Sequence, residues 1–341
     1  VGKKSGNLVS DLGLVWQSPG FELNDIGYLA QTDNISQWFW MQYRILQPKG
    51  ITRWQRYNVN QWREYDFGWR SLNEGYNVNA HAEFKNFWQS GGGITYRVRS
   101  ASNADLRGGP AITYPGIFNF WAYTGTDPRK KFHVNINPEF GIGKENYRRY
   151  AGVYLDFTLR PTNALNISVS PTFEASENQL QYVSSPTAEG ENRYIVGTID
   201  QTTGRVVFRA TYMITPNLSV QYYGQPFGTS GKYSEFKSIT DASAAEYAQR
   251  YISLPVSGVS LSNDGASDYS FGKPDFNFGQ FRSNMVVRWE YIPGSTLFVV
   301  WTRERNGAFY DSVPGHDKYS FDFEEKGHNI FLFKFTYRFV L

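Results

Sequence analysis

The chain lacks three features that would each have pointed to a familiar class of protein. It contains no cysteine, which excludes a disulfide framework and a thiolate metal site. It has no run of about 18 apolar residues, the length that a membrane-spanning helix requires. Charge of neither sign dominates, because 34 Lys and Arg stand against 31 Asp and Glu, for a net charge of +3. So close a balance predicts no nucleic-acid partner.

Aromatic residues, in contrast, are abundant, and their placement is ordered. They make up 18% of the chain, although hydrophobic residues of all kinds reach only 40%. The chain ends in NIFLFKFTYRFVL, in which every second residue from 331 to 339 is aromatic: Phe331, Phe333, Phe335, Tyr337 and Phe339. The charged residues Lys334 and Arg338 fall on the other side. Strict alternation of this kind predicts a β-strand whose two sides meet different surroundings.

The same alternation recurs in fourteen segments of roughly ten residues, which is the length of a tilted transmembrane strand. The segments are 7–16, 37–47, 54–66, 76–88, 93–102, 116–125, 131–141, 147–160, 164–181, 193–214, 218–232, 281–292, 296–306 and 328–341. In most of them one side is apolar and the other polar. The sequence therefore predicts an all-β protein, and specifically a transmembrane antiparallel up-and-down β-barrel in which the aromatic side of the last strand faces lipid.

The connections between these segments alternate in length. Short pieces built from turn residues, such as PTN at 161–163 and TPN at 215–217, follow the even segments, whereas most connections after the odd segments are longer. Outer-membrane barrels have short periplasmic turns and long extracellular loops. The pattern therefore predicts one barrel over 1–341 in the bacterial outer membrane, with the C-terminus in the periplasm. The longest connection, 233–280, is predicted to be extracellular and to carry a short helix at 241–251, capped by Thr240 or Asp241.

Thirteen charged residues fall on the predicted lumen side of the strands. They are Arg44, Glu83, Arg97, Arg99, Glu139, Asp156, Arg160, Glu174, Arg209, Arg288, Glu290, Lys334 and Arg338. One interpretation is a water-filled pore suited to anionic or sugar-like solutes, with Arg97 and Arg99 as an anion-attracting pair. The other is that charges of opposite sign pair across neighbouring strands and fill the interior.

Sequence signatures of enzymes are absent. The four histidines show no metal-ligand spacing, and there is no HExxH motif, no GxSxG motif and no glycine-rich phosphate loop. We therefore expect no catalytic residues, no metal site and no cofactor. The two functions that remain are a permeation or transport channel and, as the alternative, a membrane anchor or scaffold within a larger envelope assembly.

Several stretches resemble a family of large outer-membrane barrels of Bacteroidota, whose function is uncharacterised. The resemblance rests on WQSPGFELNDIG (16–27), LRGGP (106–110), TDPRKKF (126–132), RYIVGTIDQTT (193–203), LSVQYYGQPF (218–227) and RSNMVVRWEYIPGSTLFVVW (282–301). Members of that family usually carry an N-terminal domain similar to family-nine carbohydrate-binding modules and further strands before the SPGFE segment. The resemblance thus implies that fourteen strands are a lower bound. The opening VGKKSGN itself has the composition of a tight turn.

The last strand also resembles the C-terminal targeting strand of bacterial outer-membrane proteins, although it finishes on Leu341 rather than on an aromatic residue. That resemblance implies recognition by the barrel-assembly machinery. The expected partners are therefore outer-membrane lipid and lipopolysaccharide, the assembly machinery, and other envelope proteins in the scaffold interpretation.

Overall fold

The computed structural model describes residues 1–23, 25, 27, 32–188, 190–254, 262–263, 268–269, 271–272, 274–310, 320–323 and 326–339. Within these ranges lie fourteen strands of nine or more residues. They are β1 (Leu8–Gln17), β2 (Asn34–Ile45), β3 (Thr52–Tyr65), β4 (Ser71–Phe84), β5 (Gln89–Ser102), β6 (Ile117–Gly125), β7 (Phe132–Gly143), β8 (Arg148–Thr162), β9 (Leu165–Ser184), β10 (Ile195–Thr215), β11 (Leu218–Ile239), β12 (Phe276–Ile292), β13 (Ser295–Tyr310) and β14 (His328–Thr336).

Shorter elements complete the described chain. The strands of two to four residues are Gly2–Lys3, Ile112–Tyr114, Thr187–Ala188, Glu191–Asn192, Tyr251–Ser253, Ser262–Asn263, Asp268–Tyr269 and Ser320–Phe323. The helices are two 3-10 turns, Lys144–Asn146 and Tyr247–Gln249. Among the residues that can be described, no helix has the length and apolar character needed to cross a membrane.

Each long strand pairs with the next along the chain in an antiparallel ladder, so the sheet is a simple meander from β1 to β14. Every one of the fourteen predicted segments coincides with one long strand. The prediction of an all-β antiparallel protein is therefore confirmed.

The connections are sorted between the two ends of the sheet. At one end, named here the short-turn end, the connections are 46–51, 85–88, 126–131, 163–164, 216–217 and 293–294. At the other, the long-loop end, they are 18–33, 66–70, 103–116, 144–147, 185–194, 240–275 and 311–327. The alternation of connection lengths along the sequence thus becomes a difference between the two ends of one sheet.

The predicted helix at 241–251 is wrong. Its described residues form turns, one 3-10 turn at Tyr247–Gln249 and then the strand Tyr251–Ser253, which pairs with the end of β11. Because β11 continues to Ile239 and β12 begins at Phe276, the predicted loop 233–280 shortens to 240–275. The local pattern of Ala and Glu favoured a helix, but packing of this segment against the sheet decides its conformation.

The two edges of the sheet are not joined to each other within the described residues. The outer edge of β1 pairs with Gly2–Lys3, with Gly2 opposite Asp11 and Lys3 opposite Ser10, so that VGKKSGN forms a hairpin turn as expected. The Arg44 guanidinium holds this turn by donating from Nε to the Gly6 carbonyl at 3.0 Å. The closed barrel therefore remains a prediction, whereas the antiparallel sheet is observed.

Side-chain exposure in the sheet is the reverse of that in a water-soluble protein. Along β7, Ile136 and Phe140 are 41% and 46% exposed, whereas His133 on the opposite side is 8% exposed. Val78 of β4 is 54% exposed, and Asn58 of the neighbouring β3 is 8% exposed. One side of the sheet thus presents its apolar residues outward, while the polar residues of the other side are sheltered.

Buried apolar residues are found mainly at the long-loop end. Leu106 and Ile112 from the connection after β5 pack with Leu180, Val196 and Ala242. A second cluster joins Ile195 and Phe236 to Leu254 and Phe271. Connections that are far apart in sequence therefore share buried contacts at this end, and we call the two clusters together the loop-end core.

Aromatic rings cover glycines on adjacent strands in several places. The Trp38 ring lies over Gly13 and the Trp62 ring over Gly75, where each occupies the space that a Cβ atom would need. Tyr150 covers Gly141 in the same way. Glycine is required at these positions because of this close approach.

We expect Gly75→Ala to lower the free energy of unfolding by about 1–3 kcal/mol, because the new methyl group overlaps the Trp62 ring. Urea titration of the refolded protein measures this. Gly20→Ala is the matched control, since no atom lies within 4 Å of its added Cβ. Equal effects of the two substitutions would contradict the ring-over-glycine packing.

Candidate functional site

The strand register gathers the polar side chains onto one side of the sheet, named here the polar face. One line of directly opposed residues crosses eight successive strands from β3 to β10. It runs Asn58, Asn79, Gly93, Trp121, Glu139, Gly152, Glu174, Thr203. The opposite side, named the apolar face, contains the residues in between, such as Val59, Val78 and Phe140.

Ten of the thirteen predicted lumen residues fall on the polar face when the register is followed from strand to strand. They are Arg44, Glu83, Arg97, Glu139, Asp156, Glu174, Arg209, Arg288, Glu290 and Lys334. The structure thus places these residues on a common surface, although whether that surface encloses a lumen stays a prediction.

The remaining three lie where a register shift or the end of a strand interrupts the regular alternation. Arg99 follows a register shift and stands opposite Glu74, so it is separated from the face of Arg97. Arg160 lies at the short-turn end and donates from Nη1 to the Pro128 carbonyl at 3.1 Å. Arg338 follows the end of β14, and its backbone N–H donates to Ser295 Oγ at 3.0 Å. The proposed Arg97 and Arg99 pair is therefore not a pair on one face.

The aromatic residues of the last strand lie on the apolar face. Phe331, Phe333 and Phe335 stand opposite Trp301, Val299 and Leu297 of β13, and the three phenylalanines are between 63% and 70% exposed. Tyr337 and Phe339 follow the strand, with their ring centroids 4.8 Å apart. Lipid contact for these five residues remains a prediction.

A ladder of side-chain amides crosses the polar face on β2 to β4. Gln42 Nε2 donates to Asn58 Oδ1 at 2.8 Å, and Asn58 Nδ2 donates to Asn79 Oδ1 at 2.6 Å. Asn60 Nδ2 donates to Asn77 Oδ1 at 2.9 Å. Sequence reasoning missed this ladder, but a signal exists: YNVN occurs at 57–60 and again at 76–79, and the two copies face each other in the sheet.

Some charges on the polar face are paired locally. Arg53 Nη1 lies 2.6 Å from Glu83 Oε1, and Arg288 Nη2 lies 2.9 Å from Glu290 Oε2. The Arg209 guanidinium lies 4.8 Å from the centre of the Tyr223 ring. These contacts fit the charge-pairing interpretation. They do not involve Arg97, Glu139 or Glu174 of the central strands.

The central strands enclose a cavity of about 360 Å³ on the polar face, named here the charged cavity. Its lining includes Arg97, Asn119, Glu139, Arg148, Tyr150, Tyr154, Glu174 and Ser176. The volume lies within the range of small-molecule sites. The sequence predicts that Arg97, Glu139 and Glu174 line a lumen. Arg148, Tyr150 and Tyr154 of β8 are not among the predicted lumen residues.

Hydrogen bonds hold the tyrosines of the charged cavity. Tyr154 Oη donates to Glu139 Oε1 at 2.8 Å. Tyr150 Oη donates to Asn119 Oδ1 at 3.0 Å. These two hydrogen bonds fix the hydroxyl groups of Tyr150 and Tyr154, which lie four residues apart on β8.

A second cavity of about 430 Å³ adjoins the first and shares Arg148 and Ser176 with it. Ala104, Asp105 and Arg107 from the connection after β5 form part of its wall, opposite polar-face residues of β9 and β10. The connection after β5 therefore lies over the polar face. Tyr114 Oη donates to Asp105 Oδ2 at 2.6 Å and helps to fix this connection.

Arg250 anchors the connection after β11 to the connection after β5. Its side chain is buried and donates from Nη1 to the Thr113 carbonyl at 2.7 Å and from Nε to the Ala244 carbonyl at 2.9 Å. Burial, together with the neighbouring Arg99, lowers the pKa of Arg250. Carbonyl oxygens thus solvate a buried cation that links two loops.

The apolar face also carries a cavity, of about 740 Å³. At its floor three small residues, Ala80, Gly92 and Ala122, stand directly opposite one another on β4, β5 and β6. Tyr57 and Phe140 are among the larger residues around it. Most of the side chains that line the cavity are apolar.

Within the described ranges, no cluster of three or more His, Asp or Glu residues has the geometry to hold a metal ion. The described part of the chain thus offers polar cavities and an apolar surface as its candidate functional features.

Comparison with known proteins gives one family match. The family model described as "Domain of unknown function (DUF5916)" matches residues 1–339. No curated protein and no solved structure shows significant similarity to the chain.

Proposed function

The chain belongs to the DUF5916 family, and we propose that it forms the wall of an outer-membrane β-barrel through which small polar solutes pass. The observation that carries the proposal is the reversed exposure of the sheet. Apolar side chains are exposed on one face, and polar and charged ones are sheltered on the other. A sheet of this kind is stable where hydrocarbon covers the apolar face and water reaches the polar one.

The proposal includes closure of the sheet. In hydrocarbon, the unpaired N–H and C=O groups at the outer edge of β14 would each cost several kcal/mol. We propose that this edge is paired in the membrane, either with the β1 side of the sheet or with a further strand. The pairing of Gly2–Lys3 with β1 supports a further strand, because it already occupies the edge that would otherwise meet β14.

The proposed orientation places the short-turn end in the periplasm and the long-loop end outside the cell. The difference in connection length between the two ends supports it, as does the resemblance to Bacteroidota barrels. The last strand would then serve as the signal for the barrel-assembly machinery. Contacts with phospholipid and lipopolysaccharide would be made by the apolar face.

A scaffold is the second candidate, and the loop-end core favours it. Loops that serve only as exposed connections do not need a shared buried core, whereas a surface that docks another envelope protein benefits from rigidity. The same interpretation would suit a barrel that anchors a carbohydrate-binding-like domain. The polar cavities on the central strands favour permeation, because a purely structural interior has no need of them.

Phe333→Arg tests the membrane location of the apolar face. It is expected to destabilise the folded state in lipid by about 2–4 kcal/mol near the bilayer midplane, because it places a charge in hydrocarbon. Leu332→Arg is the matched control: the residue is adjacent, on the same edge strand, and on the polar face opposite Val300. Folding titrations into lipid vesicles measure both. Equal losses would refute the assignment of faces.

Single cysteines test the orientation, since the chain has none of its own. A cysteine at Ser243, an exposed residue of the connection after β11, should react on intact cells with a thiol reagent that does not cross membranes. A cysteine at Asn217, in the turn between β10 and β11, should react only after the outer membrane is opened. Labelling of both on intact cells would overturn the orientation.

Conductance separates a channel from a scaffold. The full-length protein in planar bilayers is expected to give discrete current steps, and Arg209→Gln on the polar face should shift the reversal potential in a salt gradient towards that of the cation. Arg149→Gln is the control, because Arg149 lies opposite Ile142 on the other face and pairs with Glu177 at 2.6 Å. A bilayer without current steps would refute permeation and leave the scaffold.

A further inference from the structure

The charged cavity separates its positive and negative side chains along the strand direction. Glu139 and Glu174 stand on either side of Gly152 in one cross-strand row. Arg148 lies four residues before Gly152 on the same strand, towards the long-loop end. At about 3.4 Å per residue, the row that contains Arg148 is about 14 Å along the backbone from the row that contains the two glutamates. Arg97, on β5, lines the same cavity.

These four charges do not neutralise one another. Among the described residues, no ion pair joins Arg97 or Arg148 to Glu139 or Glu174. The Nε atom of Arg97 is buried and has no hydrogen-bond partner among the residues that the structure describes. Such an atom is costly unless something else satisfies it. The cavity therefore holds hydrogen-bonding capacity of both signs that the described part of the protein leaves unused.

Neutral polar groups occupy the space between the two charged rows. Tyr150 lies in the intermediate row, opposite Gly141 on one side and Ser176 on the other. Its hydroxyl group and the side chain of Asn119 form one hydrogen-bonded unit. Gly152 lines the cavity and adds no side chain to its floor, whereas the Tyr150 ring covers Gly141.

From this arrangement we infer that the charged cavity binds short peptides with free termini, of two or three residues. The guanidinium groups of Arg97 and Arg148 receive the terminal carboxylate, and the carboxylates of Glu139 and Glu174 receive the terminal ammonium group. Tyr150 and Asn119 lie between them, where the peptide bond would need polar partners. This inference rests on the proposed function, of which it names the solute.

The length of the ligand follows from the spacing of the rows. The interval of about 14 Å between the rows is wider than such a peptide, and the long arginine and glutamate side chains can reach across the difference. Two or three extended residues span about 7–11 Å. A neutral sugar can hydrogen-bond to these four groups but brings no opposite charge to any of them, which is the reason that a dipolar ligand fits better.

Binding of trialanine to the full-length protein in lipid nanodiscs, measured by calorimetry, tests the inference. Trialanine with free termini should bind at least tenfold more tightly than trialanine blocked at both ends, and more tightly than the neutral trisaccharide maltotriose. Equal affinity for the free and the blocked peptide would overturn the inference, and so would absence of binding. These comparisons need no variant, so they do not depend on a variant's folding.

Singly blocked peptides locate each end. With the amino end acetylated, binding should weaken about tenfold in Arg97→Gln and remain unchanged in Glu174→Gln. With the carboxyl end amidated, binding should weaken about tenfold in Glu174→Gln and remain unchanged in Arg97→Gln. Arg209→Gln and Glu290→Gln are controls, because both residues lie on the polar face outside the cavity. Loss of this crossed pattern would overturn the inference.

The outcome is separable from that of the proposed function. Peptide binding with the crossed pattern, but without current steps in planar bilayers, would refute permeation and keep the binding site. Current steps without the pattern would keep permeation and refute the peptide site.

Discussion

The hydrogen-bonded antiparallel ladder is the constraint on which the other features of this molecule depend. It forces successive side chains to opposite sides, so a sequence that alternates apolar and polar residues acquires two chemically different faces. Because fourteen strands continue the ladder without exchange of order, each face extends across the whole described sheet. A slip of one residue turns the side chains of the slipped strand to the wrong faces, and on β7 or β9 it would bring Glu139 or Glu174 to the apolar side. The register is therefore specified at every pair of strands by the chemistry of both faces.

The polar face is packed by contacts of a different kind from those in the core of a water-soluble protein. Tryptophan and tyrosine rings lie over glycines of the next strand, and amides hydrogen-bond to amides across β2 to β4. Both devices fill the polar side without apolar burial, which is concentrated instead at the long-loop end. The described part of the molecule thus packs its polar face through hydrogen bonds and rings over glycines, and the ends of its long loops through buried apolar side chains.

Features that depend on residues close together in the sequence could be predicted, whereas features that depend on contacts between distant strands or loops could not. Strands such as β7 and β9 were predictable because period-two alternation is local, and the sorting of connections was predictable because it needs only lengths. The charged cavity was only partly predictable: Arg97, Glu139 and Glu174 follow from face assignment, but their proximity depends on the register of five strands. Arg148 and Tyr150 were missed because aromatic and terminal residues do not reveal their face by polarity, whereas Tyr154 falls on the polar side of the alternation in β8. The helix at 241–251 failed because Arg250 binds carbonyl groups of two loops, which no local pattern reports.

The loop-end core has a consequence for how this chain can change during evolution. The connections after β5 and β11 are separated by more than a hundred residues, yet Leu106 and Ile112 of one are buried with Ala242 of the other. A deletion in either connection exposes apolar surface on its partner, so the two must vary together in length and composition. The short turns share no such core in the described structure, and each is free to change alone. Correlated variation should therefore be confined to one end of the molecule, even though every strand runs the length of it.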